Sequence, residues 1–347
     1  MIFLFWLLLV VLCALLMFSQ AVLSAAADAA LLWWTRVLPA LLPYLILTGL
    51  AVRCRPRLPA VGRLHPYALL SLLLGAIGGY PVGARVLGEG LQTGALSDRE
   101  ARRFSLAASL PSPSFLISVT ALGLFACPAA APVLCAAVYG TALLLFLLCS
   151  LSRADAPPLA EARTLSATDV SGAIMDGMNA ILRIGGCIVL CRCLAAVLEA
   201  AGLVRVLSGI LPWDEAVTGA LLACLLEMTS GTAAVAALPL PLFVRLPLCV
   251  FLQVFGGASV LLQIRCFLPV KGFRRVVMAR LGMATLAALV CYGLLQLLPP
   301  ALAPAMASPD EMLQRAALLP SLLLPCALGL VSAVLFGIWL TPTATQK

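Results

Sequence analysis

What most constrains this chain is a series of long apolar runs separated by short charged loops: residues 2–27, 31–52, 66–90, 104–126, 128–151, 171–200, 214–238, 239–265, 276–299 and 316–341. In hydrocarbon every backbone amide and carbonyl must find its partner inside the protein, so runs of this kind become helices. With 63% hydrophobic and 10% charged residues, against about 25% charged in an ordinary soluble domain, the expected class is an all-α polytopic membrane protein with membrane lipid as its solvent. The net charge of +8 points to no nucleic-acid partner, because the arginines sit in loops rather than on one basic face. Thirteen cysteines are scattered singly, without metal-binding or redox spacing, and read as small apolar packing. No Lys or Arg precedes residues 2–27, so that run is expected to be a retained helix rather than a cleaved signal.

Two runs are interrupted at matching places. Gly78-Gly79-Tyr80-Pro81-Val82-Gly83-Ala84 breaks the run 66–90, and Glu227-Met228-Thr229-Ser230-Gly231 breaks 214–238, with Gly83 and Gly231 offset by 148 positions. Twenty-five helical residues give roughly 37 Å of path, enough to cross a bilayer once or to reach its midplane and return. The distribution of Lys and Arg between the two sides separates these options. If both runs turn back, the loops 53–65, 85–103, 152–170 and 265–280 and the tail place sixteen Lys and Arg inside, against Arg205, Arg245 and Arg315 outside. If both cross, the division is eleven against eight, with Arg36, Arg183 and Arg192 inside the runs in either case. The charge favours two re-entrant hairpins, about eight spanning helices, and N- and C-termini on the cytoplasmic side.

That topology gives residues 31–151 and 171–299 the same order of parts in opposite directions, an inverted repeat flanked by helices over 1–27 and 316–341. In the first half, Ser109-Leu110-Pro111-Ser112-Pro113-Ser114-Phe115 unwinds the run 104–126, because each proline removes an amide donor. In the second, Phe255-Gly256-Gly257-Ala258-Ser259 permits the same unwinding without a proline. A single Gly, Ser or Pro in a membrane helix is an ordinary kink. Four breaks in register are instead a candidate solute site, with half-helix N-termini for an anionic group and freed carbonyls for a cation. Its expected residues are Gly78, Gly79, Tyr80, Pro81, Gly83, Ser109, Ser112, Pro113, Ser114, Glu227, Thr229, Ser230, Gly231, Gly256, Gly257, Ser259 and Gln263.

Glu227 stands out because a carboxylate inside an apolar run is costly and therefore a functional candidate, for a proton, a cation or a partner arginine. Asp176, Asn179 and Arg183 share one helix face and read as a structural polar stripe. His65, the single histidine, sits in a basic loop, so neither a histidine triad nor a metal cluster assembles in the membrane. The Gly-Gly-Tyr-Pro-Val-Gly segment lacks the Lys-Ser or Lys-Thr of a phosphate loop. No enzyme is expected and no cofactor beyond a coupling proton or sodium ion. Ser97-Asp98-Arg99-Glu100 reads as a capping box that starts a helix.

The residues 79–85, 94–100, 112–115, Glu227 with Gly231, and 255–260 with Gln263 together resemble the YlbJ/SpoVV-type sporulation integral membrane proteins, which carry nucleoside-recognition Gate domains. The resemblance covers roughly residues 30–300. It implies a fold like that of the concentrative nucleoside transporters, a place in the bacterial cell membrane or the outer forespore membrane, and passage of dipicolinate, a small anionic solute, during endospore formation. The chain departs from the family pattern at Arg85, where Lys is expected, and at Ser109-Leu110, where Asn is expected. The leading expectation is a secondary membrane transporter of such a solute. The alternatives are a nucleoside transporter and a non-transporting membrane receptor or assembly factor for the spore envelope, and a homo-oligomer is left open.

Overall fold

The computed structural model describes residues 2–54, 66–150 and 165–297; the run 316–341, His65 and most of the loops 53–65 and 152–170 lie outside the described residues. Within them every regular element is helical. The run 2–27 is not one straight helix. It forms α1 (Ile2–Met17) and the start of α2 (Ser19–Leu32), which meet at a bend of 91°. Phe18 leaves helical geometry there, at φ −101° and ψ 31°, while Phe18 N to Ala14 O and Val22 N to Phe18 O both stay at 3.0 Å. No glycine or proline marks the bend, so the sequence carries no sign of it.

The expected boundary near residue 28 is also absent. The helix continues through Asp28 into a π-helical turn, π1 (Trp33–Val37), and then α3 (Leu38–Arg53). The turn is seated on α8 (Ala167–Ala200): Trp33 Nε1 donates to Ile181 O at 3.1 Å, and a Cβ on Gly185 would come within 2.7 Å of the indole. Glycine at that position is what lets the ring lie flat on the helix.

Then come α4 (Pro66–Gly78), α5 (Val82–Gln92), α6 (Asp98–Ala108), a long π-helix π2 (Phe115–Leu124) and α7 (Ala130–Ser150). After α8 follow α9 (Leu203–Ser208), α10 (Glu215–Leu226), α11 (Met228–Ala236), α12 (Leu242–Phe255), α13 (Gly257–Phe267) and α14 (Phe273–Leu297). The capping box at Ser97 forms as expected and starts α6. A second, Ser166 with Asp169, starts α8, and the Asp214 carboxylate accepts from Val217 N at 2.8 Å to start α10. These short polar side chains satisfy amides that the first helical turn leaves without partners.

Four helical runs, Ala130–Ser150, Ala167–Ala200, Leu242–Phe267 and Phe273–Leu297, are long and apolar enough to cross a membrane, and the bent α1–α2 pair makes a fifth if taken as one span. By length and composition these are the helices of a membrane protein. The apolar side chains of α1 and one face of α7, among them Phe3, Trp6, Leu143 and Leu147, are exposed on the outside of the bundle. The run 239–265 is interrupted within its span at Gly256, and the runs 66–90, 104–126 and 214–238 are divided into shorter helices at the expected interruptions.

Two groups of helices carry the packing. In one, α12 lies along α14 and α14 along α7; in the other, α2 and α3 lie on α8. After α3, and again after α8 and α9, the chain runs through one order: two short helices packed on each other, a third helix, a break, a continuation, and a long helix. Contacts between the halves are reciprocal, since α5 meets α13 where α11 meets π2, and α7 meets α12 where α6 meets α14.

Four charged residues sit differently from their sequence reading. Arg85, Arg103 and Arg280, counted with cytoplasmic loops, are buried in α5, α6 and α14. Backbone carbonyls receive the Arg85 and Arg280 guanidiniums, which is what lets a cation leave water at these places. Asp176 does not pair with Arg183. It pairs with Arg53 at 2.6 Å and Arg85 at 3.6 Å, while Arg183 lies over the Phe267 ring, 5.9 Å from its centroid.

Candidate functional site

The first break needs its glycines. Gly79 has φ +73°, and a Cβ there would stand 2.9 Å from Ser112 Cβ and N. A Cβ on Gly83 would collide with the Ala108 carbonyl, so α5 packs directly on the end of α6, backbone to backbone. Between them the Tyr80–Pro81 peptide is cis, and the Tyr80 hydroxyl donates to the Gln253 carbonyl of α12. The Gly-Tyr-Pro-Val-Gly segment therefore joins the first half to the second.

In the second break, Pro111 and Pro113 follow the end of α6, and side chains supply partners to the backbone there. Tyr139 of α7 donates to Pro111 O at 2.8 Å, and Ser112 Oγ accepts from Phe115 N at 3.3 Å. Ser109 is wholly buried and its hydroxyl has no partner among the described residues. Ser114 is exposed and does not join the others.

Glu227 makes the third break and closes it on itself. The residue is extended at φ −140° and ψ 119°. Its carboxylate accepts from Thr229 N at 2.9 Å, Ser230 N at 2.7 Å and Ser230 Oγ at 2.8 Å. It is thus the N-cap of α11, and it meets no arginine among the described residues. Its negative charge offsets the positive end of that helix, which accounts for a carboxylate only 3% exposed.

The fourth break is two consecutive glycines at φ +88° and +66°. Gly257 and Gly231 both rest on Cys224 of α10, where a Cβ on either would strike the Cys224 backbone. The third and fourth breaks are therefore packed together. Past them Gln263 Nε2 donates to Ser259 Oγ at 3.3 Å, and the Cys191 thiol of α8 lies beside the Ser259 hydroxyl.

Arg280 ties the breaks to each other and is absent from the sequence-derived set. It has no exposed surface. Nη1 donates to Ser109 O at 2.9 Å and Nε to Phe255 O at 3.3 Å, and Nη2 donates to Val254 O. One guanidinium thus caps the carbonyl ends of α6 and α12, the two helices that stop at the second and fourth breaks. The Tyr80 ring lies against it, 5.7 Å from Cζ to centroid, and no carboxylate pairs with it among the described residues. The partial negative charge of two helix C-termini holds this cation instead. Gln253 and Thr120, also missed, complete the seam: Gln253 Nε2 donates to Thr120 Oγ1 at 2.9 Å, and Gln253 Oε1 is buried without a donor among the described residues.

Most sequence-derived residues fall into two groups: Gly79, Tyr80, Gly83, Ser109 and Ser112 at the packed ends of α4–α6, where Arg280 meets Tyr80 and Ser109, and Glu227, Thr229, Ser230, Gly231 and Gly257 beside α10, with Ser259 and Gln263 following on α13. The Gly256 turn lies between the groups. The signal for Arg280 was its position four residues into the run 276–299, past the start of the helix. No protein-family model matches the chain, and no curated protein or solved structure is significantly similar to it. The chemistry at the breaks is what there is to read.

Proposed function

We propose that this chain is a secondary membrane transporter for a small anionic solute bound where the four helix breaks converge. The observation that carries the reading is Arg280: a buried cation, without a carboxylate partner among the described residues, at the ends of two interrupted helices. Its donors are spent on helix-end carbonyls that carry only partial charge, so in a low-dielectric layer a net positive charge remains and favours an anion nearby. Glu227 does not cancel it, because that carboxylate is already engaged by the amides of its own helix.

In this reading α4–α5 and α10–α11 are re-entrant hairpins in an inverted repeat. The support is length and order: these helices have 13, 11, 12 and 9 residues, each under the 30 Å or so of a hydrocarbon core, and the contacts between the halves are reciprocal. Taking the buried Arg85, Arg103 and Arg280 out of the sixteen inside charges leaves thirteen against three, so the bias toward cytoplasmic termini persists. Dipicolinate, and work at the forespore membrane, enter through the family resemblance alone.

The test is uptake of labelled dipicolinate and of nucleosides into vesicles holding the purified protein, with Glu227→Gln alongside. Saturable dipicolinate uptake, unaffected by nucleosides, is expected. Nucleoside uptake in its place would change the substrate, and a folded protein that moves neither would leave a receptor. Dipicolinate binding unchanged after joint replacement of Gly79, Pro113, Glu227 and Gly256 would remove the site from the breaks.

A further inference from the structure

The two halves hold their short helix pairs differently. On the α4–α5 side, Arg85 is buried and reaches out of the pair in two directions, to Leu45 O of α3 at 3.1 Å and to Asp176 of α8 at 3.6 Å. Glu89, one turn along α5, stands 3.4 Å from the same guanidinium, and Arg53 of α3 holds Asp176 from the other side at 2.6 Å. Gly49 of α3 is small because Arg85 lies there: a Cβ would be 3.1 Å from Nη2. The tip is fastened too, by the Tyr80 hydroxyl on Gln253 O. Moving this pair away would strip a buried cation of its carbonyl and of a half-exposed carboxylate together, and a buried charge that loses its partners is strongly unfavourable.

The α10–α11 side has no such ties at its tip. The position matching Arg85 at the offset of 148 is Ala233. Glu227, Thr229 and Ser230 satisfy one another within the pair. Among the described residues the only ion pair of α10 or α11 is Arg205 with Glu215, at 3.8 Å and with both side chains well exposed, and such a pair contributes little. The bonds reaching α11 from α12, Arg245 to the Ala236 carbonyl and the Cys249 thiol to Thr232 O at 3.8 Å, lie at its C-terminal end and its middle. They leave the tip without a polar tie to the rest of the bundle, held by its apolar packing on Gly257 and the core, and mark where a hinge would sit.

We propose that α10–α11 is the moving gate of this protein and that α4–α5 is its fixed counterpart, latched to α3 and α8 through Arg85. This rests on the transport reading for its purpose. The physical basis is that the tip of one pair can part from the bundle without orphaning a polar group while the other cannot. Segments that open in function come from the less stably held parts of a fold.

Hydrogen exchange of the purified full chain in lipid nanodiscs, followed by mass spectrometry, tests it without any solute. Amides of 215–236 are expected to exchange roughly tenfold faster or more than those of 82–92. Arg85→Met should raise exchange across 82–92 by a similar factor and leave 215–236 unchanged. Arg85→Lys, which keeps the charge, should fall between the two. Equal or faster exchange at 82–92 in the parent protein would overturn the proposal, and so would an Arg85→Met effect spread evenly over both segments. A clear asymmetry in a protein that shows no flux in vesicles would remove the transport reading and leave the mobile pair standing.

Discussion

Arg280 holds more of the site together than any other single side chain, and its loss should be felt in both halves. Arg280→Met leaves the Ser109, Val254 and Phe255 carbonyls without their donor, and each buried group left unpaired costs about 1–3 kcal/mol. A lysine keeps the charge but offers one nitrogen where the guanidinium spreads three, so Arg280→Lys should lie between parent and Met in thermal unfolding in detergent. A Met variant as stable as the parent would show that the carbonyls find other donors. Charge counting could not find this residue, since Arg274 and Arg275 precede it and draw it into their loop. Glu227 was legible from the cost of burying a carboxylate. That its partners would be the Thr229 and Ser230 amides of its own chain, rather than an arginine or an ion, was not, because a cap depends on the local backbone and the sequence showed only a run of small polar residues.

At the scale of elements, the interruptions were the readable part. Prolines at 111 and 113 and paired glycines at 256 and 257 impose backbone geometry whatever surrounds them, and each falls where a helix stops. The bend at Phe18 and the π-helical turn at Trp33 are set by packing between distant segments, and local sequence says nothing of them. The close approach of α5 to α6 offers a test at this scale. Gly83→Ala puts a methyl into the Ala108 carbonyl and should destabilise the protein by about 1–3 kcal/mol, the usual cost of overpacking. Gly140→Ala, on a face of α7 where a Cβ meets nothing within 4 Å, should instead be neutral or raise stability by up to about 1 kcal/mol, as alanine does in a helix. Chemical denaturation of the two variants side by side separates a specific contact from a general effect of added bulk. If Gly83→Ala matched Gly140→Ala, the two helices would not be in direct contact.

For the whole molecule, the distribution of charge makes the strongest claim and the easiest to check. Ser97 is exposed in the connection between α5 and α6, on the inside if α4 and α5 turn back within the membrane. A cysteine placed there should react with an impermeant maleimide only from the cytoplasmic side, above the background of the native thiols; reaction from outside would mean that the pair crosses. Fold class and the four breaks followed from composition and from a few residues with strict backbone demands. Which helices lean on which did not, because nearly every face of such a chain is apolar and the pattern of hydrophobicity no longer says which way is in. One dimension of the assembly has a further implication. The helix that carries Asp176 is 34 residues long, a rod of roughly 51 Å in a hydrocarbon slab of about 30 Å. A rod that overshoots its slab must lean or protrude, by an amount that follows the thickness of the surrounding lipid. The anchor of the first helix pair is thereby mounted on an element whose tilt responds to the membrane itself.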